Sequence, residues 1–480
     1  MSHRRLVLTA LAVAAVSAAS PVLTGCTLSP AVDGPAAAAT AAPAGATATS
    51  GTAPGATGTE QSSLRRVEAL TALVESRLRA IEQGDRDAWL APLAPEVSQT
   101  ERAAQGRVFD RMRAMDVTDL RVVSVDLDPG ATTGPTPSAA TTSTTATTPI
   151  TPTAAAIQGP EAEDGAWRAR VTGTYRLDGF DRAPRTFTVD LTLSVDPTGP
   201  ADPDAAVPLI RAWAPADRPQ PWDLEGLRVR RTTAALLLVV GSDADVSDLA
   251  RRVTTSAGRV ASVWGRAEPA VWVAPGTDAD AARLLGRGAA AMTGVAAVTD
   301  GPLRTGEPAG ADRIVVVPQP WAGLSGAGRD VVLTHELTHA TVRASTTRPV
   351  PNWLSEGFAE FVAYRSVPLA ERDVVAPALD LVRGSGLPAD LPADADFDPA
   401  TQRLETAYGL SLLAARTLAE RHGTPALVRL YRDAAGALPM PTSLLGDVEA
   451  ITGRSLEQIG TDRASLVRQW RGRITALLGP

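Results

Sequence analysis

The sequence predicts an α+β protein in which a smaller N-terminal α+β module, at residues 61–222, precedes a larger one at residues 225–480. In the first module, apolar residues recur at helical spacing and later alternate with polar ones, so helices precede a sheet. In the second module, short apolar runs typical of buried strands come before a long helical pattern. A chain of 480 residues with 44% hydrophobic content can hold two buried cores.

The first module begins with a predicted helix or helix pair from Val67 to Leu90, interrupted at Gly84 and Asp85. Alternating apolar and polar residues then predict strands from Arg168 to Tyr175 and from Arg185 to Val195. Helices followed by a curved antiparallel sheet resemble the nuclear-transport-factor-like cone fold. That resemblance rests on the order of the elements alone.

The second module opens on patterns that alternate between strand and helix. Buried strands are predicted for Ala234 to Val240, for Val271 to Val273 and for Ile314 to Val317. A helix is predicted for Val246 to Thr254. From Thr401 onward the pattern is helical, which predicts a helical C-terminal lobe.

Three segments are strongly biased in composition. Residues 26–60 are mostly Ala, Thr, Gly and Pro, and we expect a disordered tether that spans roughly 30 to 35 Å. A Thr/Ala/Pro-rich insertion at residues 129–160 predicts a solvated loop within the first module. Residues 196–223, rich in Pro, Asp and Ala, predict the joint between the modules. Residues 225–480 are therefore expected to fold and act without the first module.

The first 26 residues predict export and lipid attachment. Arg4 and Arg5 form a positive region before the apolar run from Leu6 to Ser20, which has signal-peptide length and is short for a membrane span. The Leu-Thr-Gly-Cys sequence that ends at Cys26 matches a bacterial lipobox. We expect residues 1–25 to be removed and Cys26 to carry acyl chains such as palmitate, which bind a membrane durably. The expected location is the cell membrane, on its extracytoplasmic face.

Composition narrows the possible partners. The chain has no lysine and is rich in Ala, Arg, Gly and Pro, which is typical of high-GC bacteria such as actinobacteria. Its formal net charge is −7, and it becomes −9 without Arg4 and Arg5, which argues against nucleic acid as a partner. Cys26 is the only cysteine, so a disulfide within the chain and a thiolate metal ligand are both excluded. A lone cysteine is commonly a buried residue, but the lipobox favours lipidation here.

The most informative motif is His-Glu-Leu-Thr-His at residues 335–339. A helix puts residues i and i+4 on one face, so His335 and His339 can bind one metal ion. A third ligand has to come from elsewhere in the chain, and Glu356 is the best candidate. Three protein ligands with one position for water are the arrangement of a catalytic zinc site.

Two further acidic residues suit the chemistry of such a site. Glu336 lies one step round the helix from His335, where it can take a proton from a zinc-bound water and return it to the leaving amine. Glu360 lies one helical turn after Glu356, where it can accept the spare ring N–H of a ligand histidine. The alternative for Glu360 is a solvated charge on the helix surface.

The segment resembles the gluzincin peptidases, the clan of thermolysin and the zinc aminopeptidases, and within it the peptidase-MA-like family of bacterial secreted proteins. In that family the second helix reads P-x-W-L-x-E-G-x-A-E, which Pro351 to Glu360 matches throughout. The resemblance covers roughly residues 225–440, and its strong motifs lie between residues 331 and 361. It implies a sheet, a helix with the H-E-x-x-H motif and a helical C-terminal lobe. It also implies zinc ligands at His335, His339 and Glu356, a general base at Glu336, and Glu360 as the partner of a ligand histidine.

The resemblance also bears on the substrate. In gluzincins a strand ahead of the first ligand forms the sheet edge along which a peptide lies, and Ile314 to Val317 stands in that place here. The aminopeptidases carry G-x-M-E-N there, with a glutamate that holds a free substrate N-terminus. This chain lacks that sequence, so an endopeptidase is favoured over an aminopeptidase.

Two weaker candidates lie further along the chain. In this clan a tyrosine downstream of the ligand glutamate often stabilises the oxyanion of the reaction, and Tyr408 stands in a comparable place. The Y-x-K-G continuation of the aminopeptidases is missing, and the alternative is a tyrosine that packs at the start of a helix. His422 precedes Gly423 at a predicted helix end, where a histidine mostly interacts with the helix dipole.

These observations predict a lipid-anchored zinc metallopeptidase that acts on a peptide or protein substrate. Two alternatives remain: a catalytically silent envelope lipoprotein that uses the fold for binding or assembly, and a metal-dependent hydrolase of a non-peptide substrate. Glu336 argues against a silent protein, because a binding module needs no base beside a metal. The motif itself has a further alternative, an ordinary amphipathic helix with surface or half-buried histidines and a core stripe of Val332, Leu333 and Leu337.

Overall fold

The structure, a computed structural model, describes residues 58–127, 166–195, 207–216, 218–302, 306–398, 401, 403–444 and 446–479. The predicted signal peptide, the lipidation site Cys26 and the insertion at residues 129–160 lie outside these residues, as does the predicted tether up to residue 57. The described part of the chain is a mixed α+β protein, as predicted. It contains two sheets and a helical C-terminal region.

The first module packs three helices against a four-stranded antiparallel sheet. Its elements are α1 (Gly58–Gln83), α2 (Arg86–Leu90), α3 (Gln99–Ala114), β1 (Val117–Leu127), β2 (Trp167–Leu177), β3 (Arg185–Val195) and β4 (Pro208–Pro215), and the strands pair in chain order. Asp85 and Ser98 accept hydrogen bonds from backbone N–H groups in the first turns of α2 and α3. Alternate residues of β2 and β3 are buried. The predicted helix pair and both predicted strands are confirmed.

Two boundaries of the first module differ from the sequence prediction. α1 begins at Gly58, inside the segment predicted as a tether. β4 lies within residues 196–223, which were predicted to form the joint, and it pairs with β3. The surrounding Pro, Asp and Ala residues obscure this strand in the sequence. Its Ile210 becomes fully buried only because β3 and the helices lie alongside.

The second module contains a five-stranded mixed sheet. Its strands are β5 (Leu227–Arg231), β6 (Ala235–Val240), β7 (Ala270–Ala274), β8 (Ala297–Asp300) and β9 (Arg313–Val316), in the spatial order β5-β6-β7-β9-β8. β6, β7 and β9 are parallel, whereas β5 and β8 are antiparallel to their neighbours. Parallel strands covered on both faces carry continuous apolar runs. The predicted buried strands are confirmed for this reason.

Helices surround this sheet and form the C-terminal region. They are α4 (Asp243–Trp264), α5 (Asp278–Leu285), α6 (Pro318–Gly323), α7 (Gly326–Arg343), α8 (Asn352–Tyr364), α9 (Glu371–Val374), α10 (Ala376–Ser385), α11 (Leu404–His422), α12 (Thr424–Arg432), α13 (Val448–Gln458) and α14 (Arg463–Leu478). The helix predicted for Val246 to Thr254 lies in the N-terminal half of the longer α4. None of the helices in the described ranges is long and apolar enough to cross a membrane.

The edge of the second sheet differs from the sequence prediction. The strand predicted for Ile314 to Val317 was expected at the edge, but β9 lies between β7 and β8. The edge strand next to β9 is β8, where Thr299 pairs with Ile314 and Asp300 with Arg313. β8 has only four residues and reverses direction relative to β9. A sequence pattern shows that a segment is extended, but it does not show which strand becomes its neighbour.

The two modules contact each other through the turn between β2 and β3. Asp181 in this turn forms two hydrogen bonds of 2.7 Å with the guanidinium of Arg313 on β9. Their side chains are only 1% and 3% exposed. Arg182 pairs with Glu268 at 2.6 Å, and Arg185 at the start of β3 pairs with Asp300. The first module is therefore joined to β8 and β9 by charged contacts.

Candidate metal centre

α7 and α8 carry the predicted metal ligands. α7 begins after Ser325, whose side chain accepts a hydrogen bond from Gly328 N. Every residue from Val331 to Val342 is buried, since α4, α8 and β8 pack around this helix. A helix buried on all sides is a central helix. The alternative of an amphipathic helix with surface or half-buried histidines is therefore wrong.

A glycine lets α8 lie close to α11. A Cβ atom at Gly357 would lie 2.5 Å from the backbone oxygen of Ser411, a distance that no other residue permits. Trp353, Leu354 and Phe358 are fully buried on the same helix. The glycine that follows Glu356 in the sequence is thus a packing requirement of α8, which positions Glu356 opposite α7.

The side chains of His335, His339 and Glu356 converge on one point. His335 Nε2 and His339 Nε2 lie 2.9 Å apart, and Glu356 Oε2 lies 3.2 Å from each of them. Tetrahedral zinc, with bonds of about 2.0 to 2.1 Å, separates its ligand atoms by about 3.3 Å. The group is buried and can hold a metal ion. Two imidazoles with one carboxylate suit divalent first-row metals.

The charges in this group also favour a cation. Burial acts to lower the pKa of His335, but Glu356 and Glu360 outweigh it and raise that pKa to about 10. Burial acts to raise the pKa of Glu356, but His339 and His335 lower it to about 2. Glu356 is therefore a carboxylate at neutral pH. A metal ion can replace the proton that these carboxylates otherwise hold on His335.

Glu336 lies beside His335, His339 and Glu356, the metal group, but is not one of its three ligand candidates. Its side chain is fully buried, and burial raises the pKa of Glu336. Thr299 on β8 donates its hydroxyl hydrogen to Glu336 Oε2 across 2.6 Å. Glu336 Oε1 has no hydrogen-bond partner among the described residues. One oxygen of this carboxylate is thus held, and the other is free to accept a proton.

Thr299 is the residue of this site that the sequence analysis missed. A threonine in a four-residue strand resembles any other β-branched residue of a sheet, and no motif marks it. Only the packing of β8 against α7 brings its hydroxyl to Glu336.

Glu360 lies against the opposite nitrogen of a ligand histidine. Its Oε1 is 2.8 Å from His335 Nδ1, and the residue is buried rather than solvated. A carboxylate this close to Nδ1 favours the ring orientation in which Nε2 faces the metal group, although the contact lacks the angles of a hydrogen bond. The structure therefore brings together all five acidic and histidine residues that the motif suggested.

Replacing Glu360 by Gln is expected to weaken metal binding about 10- to 100-fold, because a neutral amide attracts the ring N–H less than a charged carboxylate at the same place. The measurement is competition for zinc against a chelator of known affinity. Glu457→Gln, on the exposed side of α13, is the matched control. Equal affinities of Glu360→Gln and the wild type would contradict this role for Glu360.

Tyr408 lies near the metal group, whereas His422 does not. The ring of Tyr408, on α11, has its centroid 6.0 Å from that of His335 and 5.8 Å from that of Phe397. His422 is the last residue of α11, which places it about 21 Å further along the helix axis. Of these two candidates, the structure brings only Tyr408 to the site.

The fold and the site define a class: a mixed α+β protein with a buried His-His-Glu group that can hold a metal ion. Comparisons with known proteins add nothing to this description, since no family model matches the chain and no curated protein matches it. The residues of the site therefore carry the functional inference.

Proposed function

We propose that this protein is a zinc metallopeptidase of the gluzincin type, held at the extracytoplasmic face of the cell membrane by acyl chains on Cys26. The observation that carries the proposal is the buried convergence of His335, His339 and Glu356 beside a carboxylate that is not a ligand. Structural zinc sites are closed by four protein ligands. A carboxylate that is not a ligand, beside a three-ligand group, supports a catalytic site. The lipobox supports the membrane anchor.

Glu336 is the general base of the proposed reaction. Zinc, when bound by this group, supplies Lewis acidity that makes a water molecule acidic near neutral pH. Glu336 Oε1 takes the proton from the attacking water and passes it to the leaving amine. Because Thr299 engages Oε2, the carboxylate presents the same oxygen to the water in each cycle.

The edge strand supports an extended peptide as the substrate. β8 pairs with β9 on one side, and no described strand pairs with its other side. Ala297 and Val298 are fully buried, so an extended peptide that binds there as an added strand has to expose this edge first. Arg185 and Arg218 both pair with Asp300, at 2.6 and 3.0 Å, so that carboxylate is not free to hold a substrate N-terminus. This arrangement favours an endopeptidase over an aminopeptidase.

Zinc analysis combined with cleavage of a mixed peptide library tests the proposal. The purified chain is expected to contain about one zinc per molecule and to cleave internal bonds of blocked peptides. Cleavage that requires a free N-terminus would instead indicate an aminopeptidase. Zinc-loaded protein that leaves every peptide intact would favour a silent binding protein or a hydrolase of another substrate.

Tyr408→Phe is expected to lower kcat about 100-fold, because its hydroxyl stabilises the oxyanion of the tetrahedral intermediate. The steady-state rate on a peptide selected from the library measures this effect. Tyr364→Phe, at the end of α8, is the matched control. Near-normal turnover by Tyr408→Phe would assign Tyr408 to packing against Phe397 instead.

A further inference from the structure

We propose that the N-terminal module positions the general base of the second module through the edge strand β8, and that Thr299, Asp300 and Arg185 are the positioning residues. The proposal rests on the proposed peptidase function, because it assigns these residues a role in the same site. It replaces the expectation that residues 225–480 act without the first module.

Thr299 connects β8 to the base. Its hydroxyl is buried and lies 2.6 Å from Glu336 Oε2 and 3.1 Å from the backbone oxygen of Glu336. The shorter contact is a short hydrogen bond between two buried groups, where the low local dielectric strengthens it. The position of the carboxylate therefore depends on the position of β8.

Asp300, the next residue of β8, is held from the first module. Arg185 Nη2 donates to its carboxylate across 2.6 Å, and Arg185 Nη1 donates to the backbone oxygen of Ala311 across 2.9 Å. Arg218, which follows β4, donates to the same carboxylate across 3.0 Å. Burial acts to raise the pKa of Asp300, but Arg185 and Arg218 keep it below its usual range. Both arginines of this charged contact belong to residues 61–222.

The same part of the first module also holds β9, the partner of β8. Asp181 binds the buried Arg313 through two hydrogen bonds. The backbone N–H groups of Arg182 and Ala183 donate to the oxygen of Gly310 across 2.7 and 3.1 Å. A Cβ atom at Gly310 would lie 2.6 Å from that of Ala183, so these two segments approach as closely as glycine permits. Loss of the Asp181 carboxylate alone would leave the buried guanidinium of Arg313 without the carboxylate that pairs with it, which is strongly unfavourable.

One contact within the second module limits the expected size of the effect. Arg343, at the end of α7, donates to the backbone oxygen of Gly301 across 3.0 Å, directly after β8. The end of β8 is therefore held from two sides. Loss of Arg185 is expected to increase the mobility of β8, which Arg343 still holds at its end. Loss of the Thr299 hydroxyl acts on Glu336 directly.

The direct contact is tested in the full-length chain with Thr299→Val and Thr299→Ser. Thr299→Val is expected to lower kcat about 10- to 100-fold, with KM and zinc content unchanged, because Glu336 is misplaced while the substrate and metal sites remain. Thr299→Ser keeps the hydroxyl and is expected to recover most of the lost rate. Wild-type kcat in Thr299→Val, or an equal loss in Thr299→Ser, would overturn the role of Thr299.

The contact between modules is tested with Arg185→Gln, also in the full-length chain. Its control is Arg176→Gln, which removes an arginine of β2 whose partner Asp119 lies within the first module. Arg185→Gln is expected to lower kcat up to about 10-fold with KM unchanged, and to accelerate amide hydrogen exchange in residues 296–301. Arg176→Gln is expected to change neither quantity. Unchanged exchange and kcat in Arg185→Gln would overturn the coupling.

The exchange measurement also separates this proposal from the proposed function. Wild-type protein that binds zinc but cleaves no peptide would contradict the peptidase assignment. Faster exchange in residues 296–301 of Arg185→Gln would still support the coupling between the first module and β8 in that case, and unchanged exchange would overturn it.

Discussion

Glu336→Gln is expected to lower kcat about a thousandfold to ten-thousandfold while the protein keeps its fold and its zinc. The amide has the size of the carboxylate, and its oxygen can still accept the hydrogen bond from Thr299. That hydrogen bond places the NH₂ group where Oε1 lies in the wild type, and an amide nitrogen cannot accept a proton. The variant therefore loses the base with little change in packing.

This prediction is checked by steady-state kinetics, zinc analysis and thermal unfolding of the same preparation. Glu457→Gln makes the same chemical change on the exposed side of α13 and is expected to retain wild-type kcat. Turnover by Glu336→Gln within about tenfold of the wild type would mean that another group takes the proton. The zinc content decides whether any loss of rate arises from the base or from the metal.

His335→Ala and His339→Ala are each expected to leave the protein with less than about a tenth of a zinc per chain. Each substitution removes a buried imidazole that supplies one of the three protein bonds to zinc. The two remaining ligands cannot hold the ion tightly. Glu356→Gln is expected to lose less, because its amide oxygen can still coordinate zinc. Both histidine variants should also lose the rise in melting temperature that zinc gives the wild type, since a ligand stabilises only the state that binds it.

The chain offers a matched control for this pair of variants. His422→Ala removes a histidine at the end of α11 and is expected to retain the wild-type zinc content. The measurement is elemental analysis after dialysis, followed by melting curves with and without added zinc. Full zinc occupancy in both His335→Ala and His339→Ala would show that the metal binds elsewhere.

Much of the fold could be predicted because its signals are local. β6 is a run of apolar residues, which is the pattern of a parallel strand covered on both faces. The sequence from Thr401 onward has a helical pattern, and α11 to α14 lie there. Helix spacing alone placed His335 and His339 on one face of α7. β4 was assigned to the joint between the modules because its neighbours in the sequence are Pro, Asp and Ala. The apolar alternation of so short a strand is also weak.

The sequence itself identified the metal group, which is His335, His339 and Glu356. The two histidines have the spacing of one helix face, and Glu356 lies in a second helix with its own characteristic sequence. The position of β8 at the sheet edge, the hydrogen bond from Thr299 to Glu336 and the contact of Arg185 with Asp300 were decided only by the tertiary structure. These contacts join residues far apart in the chain, and a threonine or an arginine forms them only after separate elements have packed together. Local periodicity reports which face of an element is buried, and it does not report which side chain of another element lies against that face.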